Sequence, residues 1–462
     1  MSSLSSDLYK KYNVPGPRYT SYPTVPYWEV NPTEAQWIAS ILSELEKSSK
    51  AGVGAAVYVH IPFCQSLCTY CGCNTRITRN HAVGNPYIET VLNEWKLYLK
   101  RFKEAGGPDS SIPLSELHLG GGTPTFLTAD ELQRLLNPLL ESFKKTPSAE
   151  FSVEADPRVT KKDHLETLAH LGFKRLSLGI QDFDPKVQDT VNRVQTEEEV
   201  RVVTETARAL GYESINYDLI YGLPFQTLKS VEQTLDVVKR LRPDRIAFYG
   251  YAHVPWIKPG QRKFTEADLP NGDEKRALYE LGRTMLEAEG YQEIGMDHFA
   301  LKSDSLSKAA ANESLHRSFM GYTSRQVAPL IGLGVSAIGD SWGAFAQNEK
   351  LLETYQTRVQ NGEIPIARGH LLDREDQILR RHILNLMTRF ATRWDTAELD
   401  TPYLKTIPAK LAELVKDGFL RLTPNSCEIT AAGRPFLRNI CMAFDARLER
   451  KAPATQLFSK TI

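Results

Sequence analysis

From about residue 55 onward the chain alternates short apolar runs with longer stretches of helical period. Runs rich in Val, Ile, Leu and Tyr predict strands at 56–61, 116–119, 150–154, 175–180, 214–220 and 245–251, with a weaker one near 292–296. Between them, apolar residues at helical spacing predict helices over 85–102, 129–143, 161–171, 197–210, 228–240 and 272–289. The second of these has a defined start, because Thr128 stands at an N-cap position with Glu131 three residues later. Strands separated by helices of this length imply parallel pairing through right-handed crossovers. About six such units predict an α/β fold, an incomplete or full parallel β/α barrel. The barrel domain is assigned to 51–370.

The ends break the pattern. Residues 1–50 begin with a Tyr/Pro-rich arm whose repeated prolines, from Pro15 to Pro26, exclude a regular helix there. Five tyrosines and a tryptophan between Tyr9 and Trp28 are more than a free tail needs, so the arm is expected to pack on the rest of the chain. Residues 371–462 read as a smaller, mostly helical domain: a helix over 373–390, another over 403–417 stopped by Gly418, a hairpin over 419–430, and a last helix over 431–447. That order is winged-helix-like. The domain carries no basic recognition stripe, so it is read as a packing domain and no nucleic-acid partner is expected.

Charge and composition narrow the class. Lys and Arg number 56 and Asp and Glu number 56, so no global field recruits nucleic acid or an anionic membrane. The N-terminus shows no signal-peptide pattern, and no apolar run reaches the length of a membrane span. Four of the six cysteines are clustered rather than dispersed in pairs, which fits a reducing compartment. The expectation is a cytoplasmic, monomeric enzyme.

The cysteines carry the sharpest signal. Cys64, Cys68 and Cys71 form C-x₃-C-x₂-C, with Cys73 two places on, while Cys427 and Cys441 lie far away. A structural zinc site would want a second ligand pair, and a disulfide framework belongs to small secreted chains. Three close thiolates instead suit three corners of an iron–sulfur cubane whose fourth iron has no protein ligand. The predicted strand ends are rich in polar and glycine residues, where barrel chemistry is built. Gly120-Gly121-Gly122-Thr123-Pro124 follows the second strand, Glu154 and Asp156 close the third, and Gly179–Asp182 with Arg193 follow the fourth. Asp218 lies in the fifth and Tyr251-Ala252-His253 ends the sixth.

The cysteine motif with the Gly-Gly-Gly-Thr-Pro turn resembles the radical S-adenosylmethionine (SAM) enzymes. With His60-Ile61-Pro62-Phe63, Glu154–Arg158, Leu178–Phe183, Asp218–Pro224, Leu315-His316-Arg317 and the arm segment Gly16–Thr24, it resembles the oxygen-independent coproporphyrinogen III oxidase (dehydrogenase) family. The resemblance covers nearly the whole chain and is weakest in the C-terminal domain. It implies a [4Fe–4S] cluster on Cys64, Cys68 and Cys71, with one SAM on the open iron. An electron from a low-potential donor such as flavodoxin or ferredoxin would cleave that SAM to a 5′-deoxyadenosyl radical. The radical would start the conversion of two propionates of coproporphyrinogen III to vinyl groups, giving protoporphyrinogen IX.

The resemblance further implies two SAM molecules per chain. Tyr58, Tyr70, Gly121, Glu154 and Ile338 would contact the first, and Gly122, Thr123, Gln181, Arg193, Asp218 and Ala252 the second. Cys73 and Tyr58 are the catalytic candidates. Cys73 has two readings, a role in substrate placement or hydrogen transfer, or a thiol packed under the cluster. Arg18 and Arg317 are candidate partners for substrate carboxylates. Three other readings compete: a haem-binding chaperone of the same superfamily, a radical SAM methyltransferase acting on haem, and a plain electron-transfer protein. Cys73 and the long arm favour the oxidase over the chaperone, and the missing fourth ligand disfavours the electron carrier.

Overall fold

The computed structural model describes residues 6–326, 329–451, 453 and 457–461. Six strands, β1 (Ala55–Ile61), β2 (Ile112–Gly121), β3 (Phe143–Ala155), β4 (Phe173–Gln181), β5 (Ser214–Tyr221) and β6 (Arg245–Gly250), pair in parallel in chain order. The helices that join them include Gly84–Glu104, Ala129–Glu141, Lys162–His170, Glu197–Ala209 and Leu228–Leu241, and Gly272–Ala288 follows β6. The capping box at Ala129–Glu141 forms as expected, with Glu131 N–H on Thr128 Oγ1 and Thr128 N–H on Glu131 Oε2. That helix ends at Glu141 rather than 143, because Phe143 already starts β3.

The weaker strand expected near 292–296 forms, but it does not extend the parallel series. Tyr291–Gly295 (β7) is a strand, but it turns straight into His298–Leu301 (β8) and pairs with it antiparallel. Only Met296 and Asp297 separate them, with Asp297 at φ 62, and a parallel crossover needs a dozen residues or more. The seventh parallel strand is Leu330–Leu333 (β9), which pairs with β1. Beyond it β10 (Ile338–Asp340), β11 (Ala344–Asn348) and β12 (Ile366–Leu371) continue antiparallel. The sheet order is β12-β11-β10-β9-β1-β2-β3-β4-β5-β6-β8-β7. Its ends, β12 and β7, do not pair, so the barrel is incomplete.

Alternation along the strands sorts the side chains. Val57, Val59, Leu117, Leu119, Val153, Leu176, Leu178, Ile215 and Tyr217 point outward into a fully buried apolar core under the helices. The opposite set, including Glu116, His118, Glu150, Ser152, Glu154, Ser177, Asn216 and Asp218, lines an interior cavity. A filled β/α barrel stacks branched apolar residues there. This one keeps a polar lumen instead.

One buried carboxylate braces β9 against the outer helices. Glu94 accepts Gly334 N–H at 2.8 Å, the Asn348 side-chain amide at 2.6 Å and the Tyr355 hydroxyl at 2.7 Å. Burial raises its carboxyl from 4.5 to about 7, although these donors pull the other way. Between those values the folded state holds a proton that the unfolded chain has lost, so stability falls as pH rises and levels off above about 7. Glu94→Gln removes the titration. The unfolding free-energy difference between wild type and variant is expected to move in the variant's favour by on the order of 3 kcal/mol across that window. Urea denaturation at several pH values measures it, and a pH-independent difference would refute the assignment.

The C-terminal part has its own core. Helix Arg374–Arg389, capped by Asp373, is followed by Ala391–Arg393, helix Ile407–Lys416 and the hairpin Leu420–Thr423/Ser426–Ile429. Ala391–Arg393 adds a third strand to the hairpin. The last helix is not continuous as expected. Pro435 sits in a 3₁₀ turn over Ala431–Phe436, after which Leu437–Met442 and Ala446–Arg450 are separate short helices. Tyr12, Tyr19 and Tyr22 of the arm are buried in this core, while Trp37, Ile38, Ile41 and Leu45 of helix Glu34–Lys50 join the barrel core. Residues 6–50 therefore divide between two cores. Among the described residues no helix is long and apolar enough to cross a membrane.

Candidate functional site

A cavity of about 650 Å³ opens at the C-terminal ends of the parallel strands and runs down the polar lumen. That is the size of a small-molecule site. The loop after β1 brings Cys64, Cys68, Cys71 and Cys73 to its lining, and all four are free thiols. The loop is pinned at its base, where Phe63–Cys64 pairs with Arg76–Ile77. The turn after the short helix Pro185–Thr190 holds its far side: Thr69 N–H donates to Val191 O at 3.0 Å and the Asn192 amide to Leu67 O at 2.7 Å.

The glycine turn after β2 exists because nothing larger fits. A Cβ on Gly122 would lie 2.7 Å from Pro62 O, and Gly121 has φ +117 with His60 at 2.8 Å. The freed Gly121 N–H donates to Glu154 Oε2 at 3.1 Å. His118 faces the other oxygen, with Nε2 3.3 Å from Glu154 Oε1 and Nδ1 2.6 Å from Ser152 Oγ. Burial would raise the Glu154 carboxyl, but His118 and Gly121 N–H outweigh it and hold it below the ordinary value. At Asp218 the balance goes the other way: burial, then Glu154, pushes its carboxyl up to about 7, against hydrogen bonds from Ser177 and Asn216 and the charge of Arg193.

Arg193 reaches across the site to the cysteines. Its Nη1 lies 3.2 Å from Asp156 Oδ2 and 3.6 Å from Cys68 Sγ, and Nη2 donates to Gly179 O at 2.5 Å. Arg158 Nη2 is 3.9 Å from the same sulfur. Two guanidiniums therefore stand at this one sulfur. Burial works against the charge of Arg193, but Tyr70, Asp156 and Cys68 outweigh it and hold its pKa above the ordinary value. Burial pushes the Cys64 thiol up to about 11. Cys71 is held below its ordinary value, and Cys73 pushed above it, by a hydrogen bond from the Cys73 thiol to Cys71.

The full chain has close relatives. The family model described as the Radical SAM superfamily matches residues 58–238. The oxygen-independent coproporphyrinogen III oxidase of Pseudomonas aeruginosa is 39% identical over 452 residues, 96% of each chain. That of Escherichia coli is 40% identical over 462 residues, 98% of each chain. The chain belongs to the oxygen-independent coproporphyrinogen III oxidase family. The solved structure of coproporphyrinogen III oxidase from Escherichia coli, described as a radical SAM enzyme, superposes with a TM-score of 0.85 at 38% identity, covering 93% of this chain and 97% of that one.

As a coproporphyrinogen oxidase family member, the chain places most of its sequence-predicted residues on one cavity. The four cysteines, Tyr70, Gly121, Gly122, Thr123, Glu154, Gln181, Arg193 and Asp218 line it. Tyr58, Ala252 and Ile338 do not. Tyr58 stacks on His118 with ring centroids 5.7 Å apart, and its hydroxyl is 3.0 Å from His60 Nδ1. His60 Nε2 is 2.9 Å from Asn74 O, which can only accept, so Nε2 carries the proton and Nδ1 accepts from Tyr58. Ile338 O lies 2.6 Å from where a Cβ on Gly332 would be, and Gly332 pairs with Tyr58 in register. The Ala252 carbonyl accepts from Gln261 Nε2, which also donates to Tyr70 O, both at 3.2 Å. Cys73 is exposed, on the lining of the cavity.

Asp182, at the end of the fourth strand, turns away and bonds Gln226 and Thr234. Gln261 and His118 were not singled out as site residues. His118 is legible in principle, two positions before Gly120 on the inward face of β2. Gln261 sits in a 3₁₀ turn over Pro259–Lys263 with no local signature.

Whether an iron–sulfur cluster fits can be judged from the donors. Three free thiols of one loop line one cavity, and two guanidiniums lie at one of the sulfurs. Arg193 Nε is buried without a partner. An anionic cluster suits this donor set.

Proposed function

We propose that this protein catalyses the oxygen-independent oxidative decarboxylation of two propionate side chains of coproporphyrinogen III to vinyl groups, in haem biosynthesis. The observation that carries the reading is the convergence of the cysteine loop, the glycine turn and the inward carboxylates on one cavity, in a chain related to these oxidases over its whole length. Bound at Cys64, Cys68 and Cys71, a [4Fe–4S] cluster would supply the electron that splits SAM and so generate the hydrogen-abstracting radical.

The protein's residues position and shield. Gly121 and Gly122, without side chains, let the backbone of the turn lie close against a ligand. Glu154 suits an ammonium, Arg193 a carboxylate, and Asp218 with Gln181 ribose hydroxyls. Their spread along the cavity supports two SAM molecules. Tyr58, Ala252 and Ile338 would act from behind the lining, Tyr58 by orienting His118 and through it Glu154. Cys73, with its thiol at the edge of the cysteine loop, suits a substrate-side role. Arg18 donates to Asp297 Oδ2 at 2.8 Å and to Gly250 O at 3.1 Å, which fixes the arm at the end of β6 beside Tyr249. That supports the arm as one wall of the substrate cavity. The chain's balanced charge supports neither nucleic acid nor an anionic membrane as partner, and the proposal is a cytoplasmic monomer.

The test is anaerobic reconstitution with SAM, a strong reductant and coproporphyrinogen III. Protoporphyrinogen IX, 5′-deoxyadenosine and methionine are expected together. A loaded protein that cleaves SAM yet leaves every propionate intact would refute the reading.

A further inference from the structure

The chain is electrically balanced, but the surface around the cysteine loop is not. Residues 64–80 and 254–264 contain Arg76, Arg79, Lys258, Arg262 and Lys263 and no Asp or Glu. The two segments are neighbours in space: Lys258 Nζ donates to Cys73 O at 3.4 Å, and Gly260 lies against Leu67. Among the described residues only Arg76 of these five makes an ion pair, with Glu353. Lys263 donates to Asp189 O and Arg262 to Pro255 O, both backbone carbonyls, so their charges remain unneutralised.

Apolar side chains stand among these cations. Leu67, Ile77, Val194, Trp256 and Ile257 are between 41% and 62% exposed. Ile77 pairs with Cys64, Val194 follows Arg193, and Asn192 bonds the Leu67 carbonyl, so the patch rims the cysteine loop. Exposed aromatic and aliphatic groups ringed by charges of one sign are the anatomy of a protein interface.

We propose that this rim is the docking surface for an acidic protein that carries a low-potential one-electron redox group. The inference rests on the proposed function, which needs one electron from outside the chain for each SAM cleaved; the two remaining cysteines, Cys427 and Cys441, are buried in the C-terminal core. The donor is oxidised by one electron, and the sulfonium C–S bond accepts that electron as it breaks. Complementary charge would steer the encounter and set orientation, and the apolar residues would hold the complex at the loop that bears the ligands.

The test compares full-length reconstituted wild type with Arg262→Glu/Lys263→Glu, neither residue belonging to the cavity lining. Flavodoxin serves as the acidic probe, and calorimetry reads its binding without turnover. The Kd is expected to rise by at least about tenfold in the variant, and in wild type to rise with salt. SAM cleavage driven by dithionite is expected to stay within about twofold, while flavodoxin-driven cleavage falls with the lost affinity. No measurable binding by wild type, or a Kd unchanged in the variant, overturns the proposal. Equal loss with dithionite also overturns it, by placing the segment in the SAM site. So does a raised KM for coproporphyrinogen III with flavodoxin binding intact, which would give the cations to the carboxylated substrate. Salt-dependent flavodoxin binding by a wild type that cannot cleave SAM supports the docking surface and sinks the functional reading instead.

Discussion

Serine in place of Cys64, Cys68 or Cys71 is expected to strip the protein of iron and abolish product formation, whereas Cys73→Ser is expected to keep its full iron content. Soft thiolate is the ligand iron–sulfur clusters select, and a serine hydroxyl neither ionises as readily nor binds as softly. Each of the three lines the same cavity from one pinned loop, so losing one would leave an iron corner without its thiolate. Because the cofactor carries the hard chemistry, activity should fall on the order of 10³-fold or more. Cys73 differs in its surroundings: it is exposed and donates its thiol proton to Cys71. Iron and sulfide analysis of all four anaerobically reconstituted variants checks the assignment. Iron loss in Cys73→Ser equal to that of the others would make Cys73 a ligand and displace one of the three.

The contrast among these cysteines shows what sequence can and cannot carry. The candidate ligands are legible from local spacing, and the six parallel strands from apolar runs punctuated by helices of ordinary length. The glycine turn was legible because three adjacent glycines have few other uses after a strand. Strand β9 was not, since Leu330–Leu333 is four residues long and owes its place to pairing with β1, some 270 residues away in sequence. Strand β7 is legible as a strand, but apolar alternation does not say whether the next connection is a helix or a two-residue turn. Side chains that act across the fold were the hardest. Gln261 ties Tyr70 to Ala252 from a turn that has no motif, and the arm's tyrosines announced burial without saying that the C-terminal core receives them.

Arg193 joins several of these distant elements, and its replacement gives the second large effect. Removing the guanidinium in Arg193→Met takes away one of the two cations facing the Asp156 carboxylate and one of the two at Cys68. Breaking a buried ion pair by deleting one partner typically costs about 3–5 kcal/mol. Here Arg158 still holds both Asp156 oxygens, Oδ1 through Nε and Oδ2 through Nη2, so destabilisation near the lower limit, about 3 kcal/mol, is expected. The functional loss should be larger than that figure implies for folding alone. If Arg193 pairs with a SAM carboxylate, its loss should weaken SAM binding by about 30-fold or more. Arg193→Lys separates the two roles, since an ammonium restores the charge beside Asp156 but not the planar fork. Lys is therefore expected to recover most of the stability and little of the SAM affinity. Denaturation curves and SAM titrations on reconstituted protein read the two quantities independently. Full recovery of both by Lys would reduce Arg193 to a counter-ion for Asp156, and a normal SAM affinity in Arg193→Met would remove it from the cofactor site.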